Sequence, residues 1–327
     1  MTLPGLSRDH LKTSRVHAFV EAIRASERVK ASVKEKSAGE LLDHYHLVMV
    51  GQDVTNLGIL LLGSAADRAK LGTAPVIQFL KFDEQRQKVN KLVWDDYTLS
   101  PVELVDTIWQ EVADFRESYE LPEGMFRRTI PAFDEKVIRE LLVNALVHRP
   151  YTQRGDIFLN LYPDRLEVVN PGRLPLGVTP RNILHANRRR NDGLARVFHD
   201  LKLMEREGSG FDLMYDRMLA SGRPAPVIVE DNDAVRVTIQ RRVGQPQIIR
   251  LIAEADQHFQ LRQRERISLA ILAQSEAMTA REFAEKLELS SVAETRSWLG
   301  RLPEIGLVLS SGRTQATRYF FESRPVT

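Results

Sequence analysis

Three polar side chains at helical spacing are the first candidates for chemistry in this sequence. Glu140, Asn144 and His148 are four residues apart, so an α-helix places them in one stripe beside an apolar face. A carboxylate can take a proton from a water molecule that attacks a phosphate, and an amide oxygen is a suitable ligand for Mg²⁺. Such a stripe is also typical of a solvated helix face, so it needs support from other segments.

Two glycine-containing turns could complete a phosphate site with this stripe. The sequence Asn170-Pro171-Gly172 follows an apolar run, and Gly208-Ser209-Gly210 comes directly before a helical pattern. Glycine lets the backbone approach a ligand, and the start of a helix offers free N–H groups to phosphate oxygens. Each turn alone is an ordinary turn in most proteins, so the hypothesis depends on their occurring together.

Hydrophobic periodicity predicts the elements that must position these residues. Asp134 is a suitable N-cap for a helix that runs to His148, and Pro150 closes it. Residues 156–169 alternate between apolar and polar side chains around a turn and predict a hairpin, and residues 235–239 predict a further strand. This order is typical of a helix layer on one face of a mixed sheet.

The amino-terminal part has its own pattern of helices and strands. Residues 1–48 are mostly helical in pattern, whereas 57–63 and 75–82 are short apolar runs that suit buried strands. A helix is expected over 101–115, and the proline- and glycine-containing segment 121–124 is expected to be a connector. We therefore expect three domains, with the following ranges: 1–124, 125–243 and 244–327.

The carboxy-terminal part has the pattern of a winged helix-turn-helix. Helices are expected over 266–273, 280–287 and 292–302, followed by a hairpin. Arginines on the third helix suit base edges and arginines on the wing suit phosphates, so four residues are candidate contacts to double-stranded DNA: Arg296, Arg301, Arg313 and Arg318. Nearby glutamates reduce the net positive charge of this patch, and winged helices also serve as protein-binding modules.

Taken together, the motifs resemble those of the GHKL (Bergerat-type) ATPase family. The stripe helix is similar to the N box, and the turns at Gly172 and Gly210 stand where the first and second glycine boxes should be. Residues 139–239 more closely resemble the divergent module of Schlafen/AlbA-like, RecG-like transcription regulators. In that group the run Arg190-Asn191 and the Asn170 turn are characteristic, and residues 57–63 look like the tail of the AlbA-like part.

The resemblance implies an α/β (α+β) fold with a GHKL-type two-layer α/β sandwich, preceded by a small α/β domain and followed by a winged helix-turn-helix. It implies ATP and Mg²⁺ as cofactors, with Glu140 as general base and Asn144 as metal ligand. The residues that it assigns to cofactor binding are Asn144, Asn170, Gly172, Arg189, Arg190, Gly208, Ser209, Gly210 and Thr238. Relatives that hydrolyse ATP briskly usually carry an aspartate where this chain has Asn170.

Composition narrows the functional classes. The chain has 327 residues, no cysteine and a formal net charge of +2, so disulfides and thiolate catalysis are excluded and DNA binding would need a local basic patch. With no apolar stretch long enough for a bilayer and no apolar signal core, we expect a cytoplasmic protein without membrane contact.

We predict a nucleotide-responsive, DNA-binding regulator that hydrolyses ATP slowly, and this interpretation is compatible with a homodimer. Two alternatives stay open. One is an ATPase subunit of a DNA-processing or defence complex, and the other is a non-catalytic scaffold with a degenerate nucleotide pocket.

Overall fold

The computed structural model describes residues 2–49, 53–123, 126–180, 182–183, 188–204, 210–312 and 317–321. The α-helices in these ranges are α1 Thr13–Ala25, α2 Ala31–Lys34, α3 Ala38–His44, α4 Asn56–Leu62, α5 Ala65–Lys70, α6 Pro101–Glu111, α7 Glu135–His148, α8 Asp192–Asp200, α9 Gly210–Ala220, α10 Pro246–Phe259, α11 Gln263–Ala273, α12 Ala280–Lys286 and α13 Thr295–Leu299. Short 3-10 helices lie at Arg8–His10, Ala113–Arg116 and Val292–Glu294.

The strands are β1 Thr2–Ser7, β2 Asp53–Thr55, β3 Ile77–Phe82, β4 Lys88–Trp94, β5 Ser118–Glu123, β6 Phe126–Pro131, β7 Ile157–Leu161, β8 Arg165–Pro171, β9 Val227–Asp231, β10 Ala234–Gln240, β11 Met278–Thr279, β12 Val308–Ser311 and β13 Arg318–Phe321. The mixed α/β class that the sequence predicts is confirmed. No helix within the described ranges has both the length and the apolar character needed to cross a bilayer.

A six-stranded mixed sheet is the centre of the fold. Its order is β4-β3-β7-β8-β10-β9, with β3 and β7 parallel and all other neighbours antiparallel. One hydrophobic core extends from the amino-terminal helices to β10. The expected boundary at residue 124 therefore does not separate two sheets, because β3 and β4 precede it and β7 to β10 follow it.

Helix α7 lies in the layer that covers this sheet, and its limits agree with the prediction. The Asp134 carboxylate caps the helix by accepting hydrogen bonds from the backbone N–H groups of Lys136 and Val137. At the other end, the buried guanidinium of Arg149 donates to the carbonyl oxygens of Thr73 and Gly155. These bonds join the end of α7 to the segments that precede β3 and β7, which fixes the helix against the sheet.

Two predictions about the amino-terminal part are wrong. The apolar run at 57–63 lies in helix α4, where the Thr55 hydroxyl accepts a hydrogen bond from the Gly58 N–H and the following leucines are buried. A short apolar run suits a buried helix as well as a buried strand, so periodicity alone does not separate them. Residues 121–123 of the expected connector belong instead to strand β5, which pairs with β6, and residue 124 lies outside the described residues.

The carboxy-terminal unit has its own core and a three-stranded sheet of order β11-β13-β12. Helices α11 and α12 confirm the expected elements, and the Thr279 side chain caps α12. Helix α10 was not predicted. The expected helix over 292–302 is shorter than its range, because only the 3-10 turn and α13 are helical there.

Helix α9 packs against both parts of the molecule. Met214 and Met218 are buried in the core of the large sheet, whereas Tyr215 and Leu219 are buried in the carboxy-terminal core. Helices α7 and α11 are its neighbours on the two sides. A single helix therefore contributes one face to each core.

Candidate functional site

A cavity of about 970 Å³, including its open mouth, lies between α7, α9 and strands β8 and β10. Valine and methionine side chains form much of its wall, and six residues singled out by the sequence analysis also line it: Glu140, Asn144, His148, Asn170, Arg189 and Gly210. Side chains from distant parts of the sequence therefore meet at one concave surface.

One end of the cavity is built from α7 and the first residue of α9. The Glu140 carboxylate is only 5% exposed, and the Asn144 side-chain N–H donates to its Oε1 at 2.9 Å. A Cβ atom added to Gly210 would lie 1.9 Å from the same oxygen and 3.5 Å from the Asn144 amide nitrogen. Only glycine therefore lets the start of α9 approach the two polar groups this closely.

The arrangement at this end suits an anionic ligand. The first N–H groups of an α-helix lack partners within the helix and favour negative charge. Because the Asn144 amide donates toward Glu140, its oxygen is directed to the other side and can act as a hard ligand. No group of three or more histidine or acidic side chains suited to a metal occurs among the described residues, so Mg²⁺ would need Asn144 together with phosphate oxygens and water.

The Asn170 side chain lies on the cavity face of β8. Strand alternation directs Leu166, Val168 and Asn170 to the same face, and Asn170 pairs in register with Val235 of β10. Asn170 is 9% exposed, and its Oδ1 atom has no hydrogen-bond partner among the residues that the structure describes. A buried amide oxygen in this condition is costly unless a ligand or water satisfies it.

His148 lines the cavity at the last turn of α7. Burial, together with the positive charges of Arg190 and Arg189, lowers the pKa of its imidazole from 6.5 to about 4. The ring is therefore neutral at physiological pH. Its Nδ1 atom is buried and has no hydrogen-bond partner within the described part of the chain.

Arginines surround the mouth of the cavity. Arg188 and Arg189 line it, as does Arg173, which also forms an ion pair with Asp233 at 2.6 Å. Arg190 does not line the cavity and donates instead to the carbonyl oxygen of Arg173. Arg173 was not predicted as a site residue from the sequence, whereas Arg188 directly precedes the predicted residues Arg189 and Arg190.

Besides Arg190, two further expected cofactor contacts do not line the cavity, namely Thr238 and Gly172. Thr238 alternates with Val237 along β10, so it lies on the face of the sheet opposite the cavity. Gly172 has a φ of +85°, and a Cβ atom there would lie 2.6 Å from Pro150. Its glycine is needed for the turn and for packing against the end of α7. Gly208 and Ser209 lie outside the described residues.

The candidate DNA contacts fall into different environments. Arg296 and Arg318 are exposed. Arg301 instead forms an ion pair with Glu265, which is 2% exposed, through bonds of 3.1 and 3.0 Å. Hydrogen bonding from Arg301 lowers the pKa of Glu265 to about 2. Arg301 is thus a structural residue that holds the end of α13 to α11, and Arg313 lies outside the described residues.

A family model matches part of this chain, and a solved structure has a similar fold. Residues 155–239 match the family model described as "Putative ATP-dependent DNA helicase recG C-terminal". The chain is similar to the crystal structure of the DIP2311 protein from Corynebacterium diphtheriae, with a TM-score of 0.76 and 22% identity, over 98% of this chain and 63% of that one. None of the curated proteins matches it.

The matched residues include Asn170 and strands β7 to β10 but begin after α7, so Glu140 and Asn144 lie outside the match. The chain spans less than two thirds of the length of the DIP2311 chain, and that likeness shows the fold. The family match supports an ATPase-like module within residues 155–239.

Proposed function

We propose that this chain binds ATP with Mg²⁺ in the cavity between α7 and the sheet, and that the bound nucleotide alters how the carboxy-terminal unit holds duplex DNA. The observation that carries the proposal is the contact between the first residue of α9 and the side chains of Glu140 and Asn144. It brings a helix N-terminus, a carboxylate and an amide to one end of the cavity, and these are the groups that phosphate binding and hydrolysis require.

The roles follow from the chemistry of each group. The triphosphate binds at the start of α9, and Asn144 offers its oxygen to Mg²⁺, which when bound neutralises phosphate charge. Glu140 takes a proton from a water molecule while the oxygen of that water forms a bond to the terminal phosphorus. The bond from this phosphorus to the leaving nucleoside diphosphate breaks. Because Glu140 already accepts a hydrogen bond from Asn144 and is nearly fully buried, its movement is restricted. Slow turnover is consistent with this restriction.

The connection to the carboxy-terminal unit runs through α9. Asp216 accepts two hydrogen bonds from Arg266 of α11, at 3.0 and 2.6 Å, and the next residue, Arg217, pairs with Asp134 at 3.1 Å. Asp134 is the N-cap of α7. A ligand that shifts the start of α9 therefore acts on a helix that is fixed to both units. For this coupling, the ligand must bind more tightly to the protein in one position of α9 than in another.

The carboxy-terminal unit supports the DNA part of the proposal. From α11 onward it has the order helix, strand, helix, helix, strand, strand, in which the last two strands form an antiparallel pair. This is the order of a winged helix-turn-helix, and Arg296 on α13 and Arg318 on β13 are exposed. The analogy concerns the fold, so the function needs a direct test.

Calorimetric titration of a non-hydrolysable ATP analogue with Mg²⁺, followed by phosphate release from ATP, tests the nucleotide site. We expect the wild type to bind, Asn144→Ala to lose binding at least tenfold, and Glu140→Gln to bind while losing turnover at least a hundredfold. Glu276→Gln, an exposed glutamate far along the chain from the site, is the matched control. Absence of nucleotide binding by the wild type contradicts the proposal and favours the scaffold alternative.

Fluorescence anisotropy with a labelled DNA duplex tests the second part. Nucleotide is expected to change the DNA dissociation constant by at least about fivefold, the lower end of ordinary coupling between sites. Arg296→Ala and Arg318→Ala should each weaken DNA binding and lower its salt dependence, whereas Arg250→Ala, exposed on α10, should not. Nucleotide binding without any DNA affinity contradicts this part. High, DNA-stimulated ATP turnover favours the ATPase-subunit alternative.

A further inference from the structure

A second cavity, of about 960 Å³ including its open mouth, lies between α4 and the start of α8. No residue that the structure describes lines both this cavity and the one proposed for the nucleotide. Four leucines line the second cavity, namely Leu57, Leu60, Leu71 and Leu194. Leu60 is buried but is not among the residues of the hydrophobic cores, which is consistent with a side chain that faces the cavity.

One polar atom at this cavity lacks a partner. Asn56, the first residue of α4, lines the cavity, and its Oδ1 atom is buried with no hydrogen-bond partner among the described residues. Two neighbouring hydroxyl groups already donate to the backbone, because Thr55 bonds the carbonyl oxygen of His46 at 2.8 Å and Tyr151 bonds that of Leu146 at 3.1 Å. A buried amide oxygen costs free energy unless a donor reaches it. A bound molecule with an N–H or O–H group can supply that donor.

The charge of the lining indicates which class of molecule fits. Apart from the exposed His46, no commonly charged side chain occurs among the described residues that line the second cavity. The nucleotide cavity, in contrast, has Glu140 and three arginines. Because a charged group that leaves water without a partner is costly, the second cavity suits an uncharged molecule. Ligand sites commonly combine such an apolar wall with a few polar groups that fix the orientation of the ligand.

We propose that the second cavity binds an uncharged, largely apolar small molecule whose N–H or O–H group donates to Asn56, and that this molecule changes the affinity for nucleotide through α8. The first part stands on the second cavity alone. The second part rests on the nucleotide site proposed above.

Helix α8 connects the two cavities. Gly193, in its first turn, lines the second cavity, as does Asn191 directly before the helix. The side-chain N–H groups of Asn191 donate to the carbonyl oxygens of Val147 and Arg149, at 2.6 and 2.7 Å. Between these two residues lies His148, which lines the nucleotide cavity. A molecule that shifts the start of α8 therefore acts on the end of α7 at the nucleotide cavity.

Indole and 1-methylindole are the probes that test the first part. Both are uncharged and largely apolar, but only indole has an N–H donor. In NMR titrations of the wild type, the dissociation constant of indole should be at least about fivefold lower than that of 1-methylindole, the ratio expected from one net hydrogen bond. Equal affinities, or binding of neither probe up to its solubility limit, overturn the proposal.

Asn56→Leu removes the acceptor at nearly unchanged volume, so the preference for indole should disappear in this variant. Asn160→Leu is the matched control. The Oδ1 atom of Asn160 is likewise buried without a partner in the described part of the chain, but this residue lies on β7 and does not line the second cavity. The control should keep the wild-type preference. A preference that persists in Asn56→Leu overturns the role of Asn56. The wild-type comparison needs no variant, so it is decisive even if Asn56→Leu fails to fold.

Titration of a non-hydrolysable ATP analogue with Mg²⁺, with and without saturating indole, tests the second part. The dissociation constant of the analogue is expected to change by at least about fivefold, the lower end of ordinary coupling between sites. An unchanged constant overturns the link through α8 and leaves the second cavity as a binding site. A wild type that binds indole but no nucleotide overturns the proposed nucleotide site, and the link with it, while the first part stands.

Discussion

Gly210→Ala should displace the Glu140 carboxylate. The added Cβ atom would lie 1.9 Å from Oε1, and real Cβ atoms essentially never come closer than 3.0 Å to a heavy atom, so the carboxylate must withdraw by about 1 Å. That movement disrupts the 2.9 Å hydrogen bond from Asn144, and a hydrogen bond to a charged group contributes about 1.5–3 kcal/mol. Alanine in a helix is favoured over glycine by up to about 1 kcal/mol. The net destabilisation is therefore about 0.5–2 kcal/mol.

A double-mutant cycle measures this contact without any ligand. In the Glu140→Ala background, the nearest remaining atom is the Asn144 amide nitrogen at 3.5 Å, which is an ordinary contact. Gly210→Ala should then be neutral or stabilising, and the coupling free energy should be about 1.5–3 kcal/mol, within the usual range for residues in contact. Each kcal/mol corresponds to a shift of about 2–4 °C in thermal midpoint for a domain of this size.

Scanning calorimetry of the four proteins is the assay, and Gly39→Ala is the control. Gly39 lies in the first turn of α3, where a Cβ atom would meet only the Arg8 guanidinium, at 3.4 Å. It should have the same small effect in both backgrounds. Equal destabilisation by Gly210→Ala with and without the Glu140 carboxylate would refute the geometry on which the proposed phosphate end depends.

Three further predictions concern charge. Burial and the neighbouring guanidinium groups lower the pKa of His148 from 6.5 to about 4, so the unfolded chain binds more protons between these pH values. Wild-type stability should fall by up to about 3 kcal/mol from this group as the pH drops from 6.5 to 4, and His148→Gln should remove that loss; an unchanged pH dependence of the urea midpoint contradicts this. Arg301→Ala removes the side-chain partner of the buried Glu265 carboxylate and should lower the thermal midpoint of the carboxy-terminal unit, whereas an unchanged midpoint would show that this ion pair does not stabilise the unit. Asp216→Asn weakens the ion pair with Arg266 and should at least halve the effect of nucleotide on DNA affinity while leaving nucleotide affinity unchanged; undiminished coupling argues against α9 as the link.

Local signals in the sequence were sufficient for the elements that carry the site. Asp134 as N-cap, the periodicity up to His148 and the alternation around β8 depend on neighbours within a few residues, and the structure has all three. The stripe from Glu140 to His148 is likewise a property of one helix. That is why its residues could be named before the fold was known.

Contacts between residues that are distant in the sequence could not be predicted from local patterns. Strands β3 and β7 are parallel neighbours although about 80 residues separate them, and no local pattern specifies that partner. Whether Thr238 faces the cavity depends on which side of the sheet the helix layer covers. Arg301 was predicted to contact DNA because its partner in the structure, Glu265, lies 36 residues earlier in the chain, and no local pattern indicates that pair. In each instance the missing information was a tertiary contact.

The most direct test of the central claim is a crystal structure of the full chain grown with a non-hydrolysable ATP analogue and Mg²⁺. The account predicts electron density for the triphosphate between the start of α9 and Asn144. Density for the nucleotide elsewhere on the protein, or an empty cavity at a ligand concentration that saturates binding in solution, would contradict it.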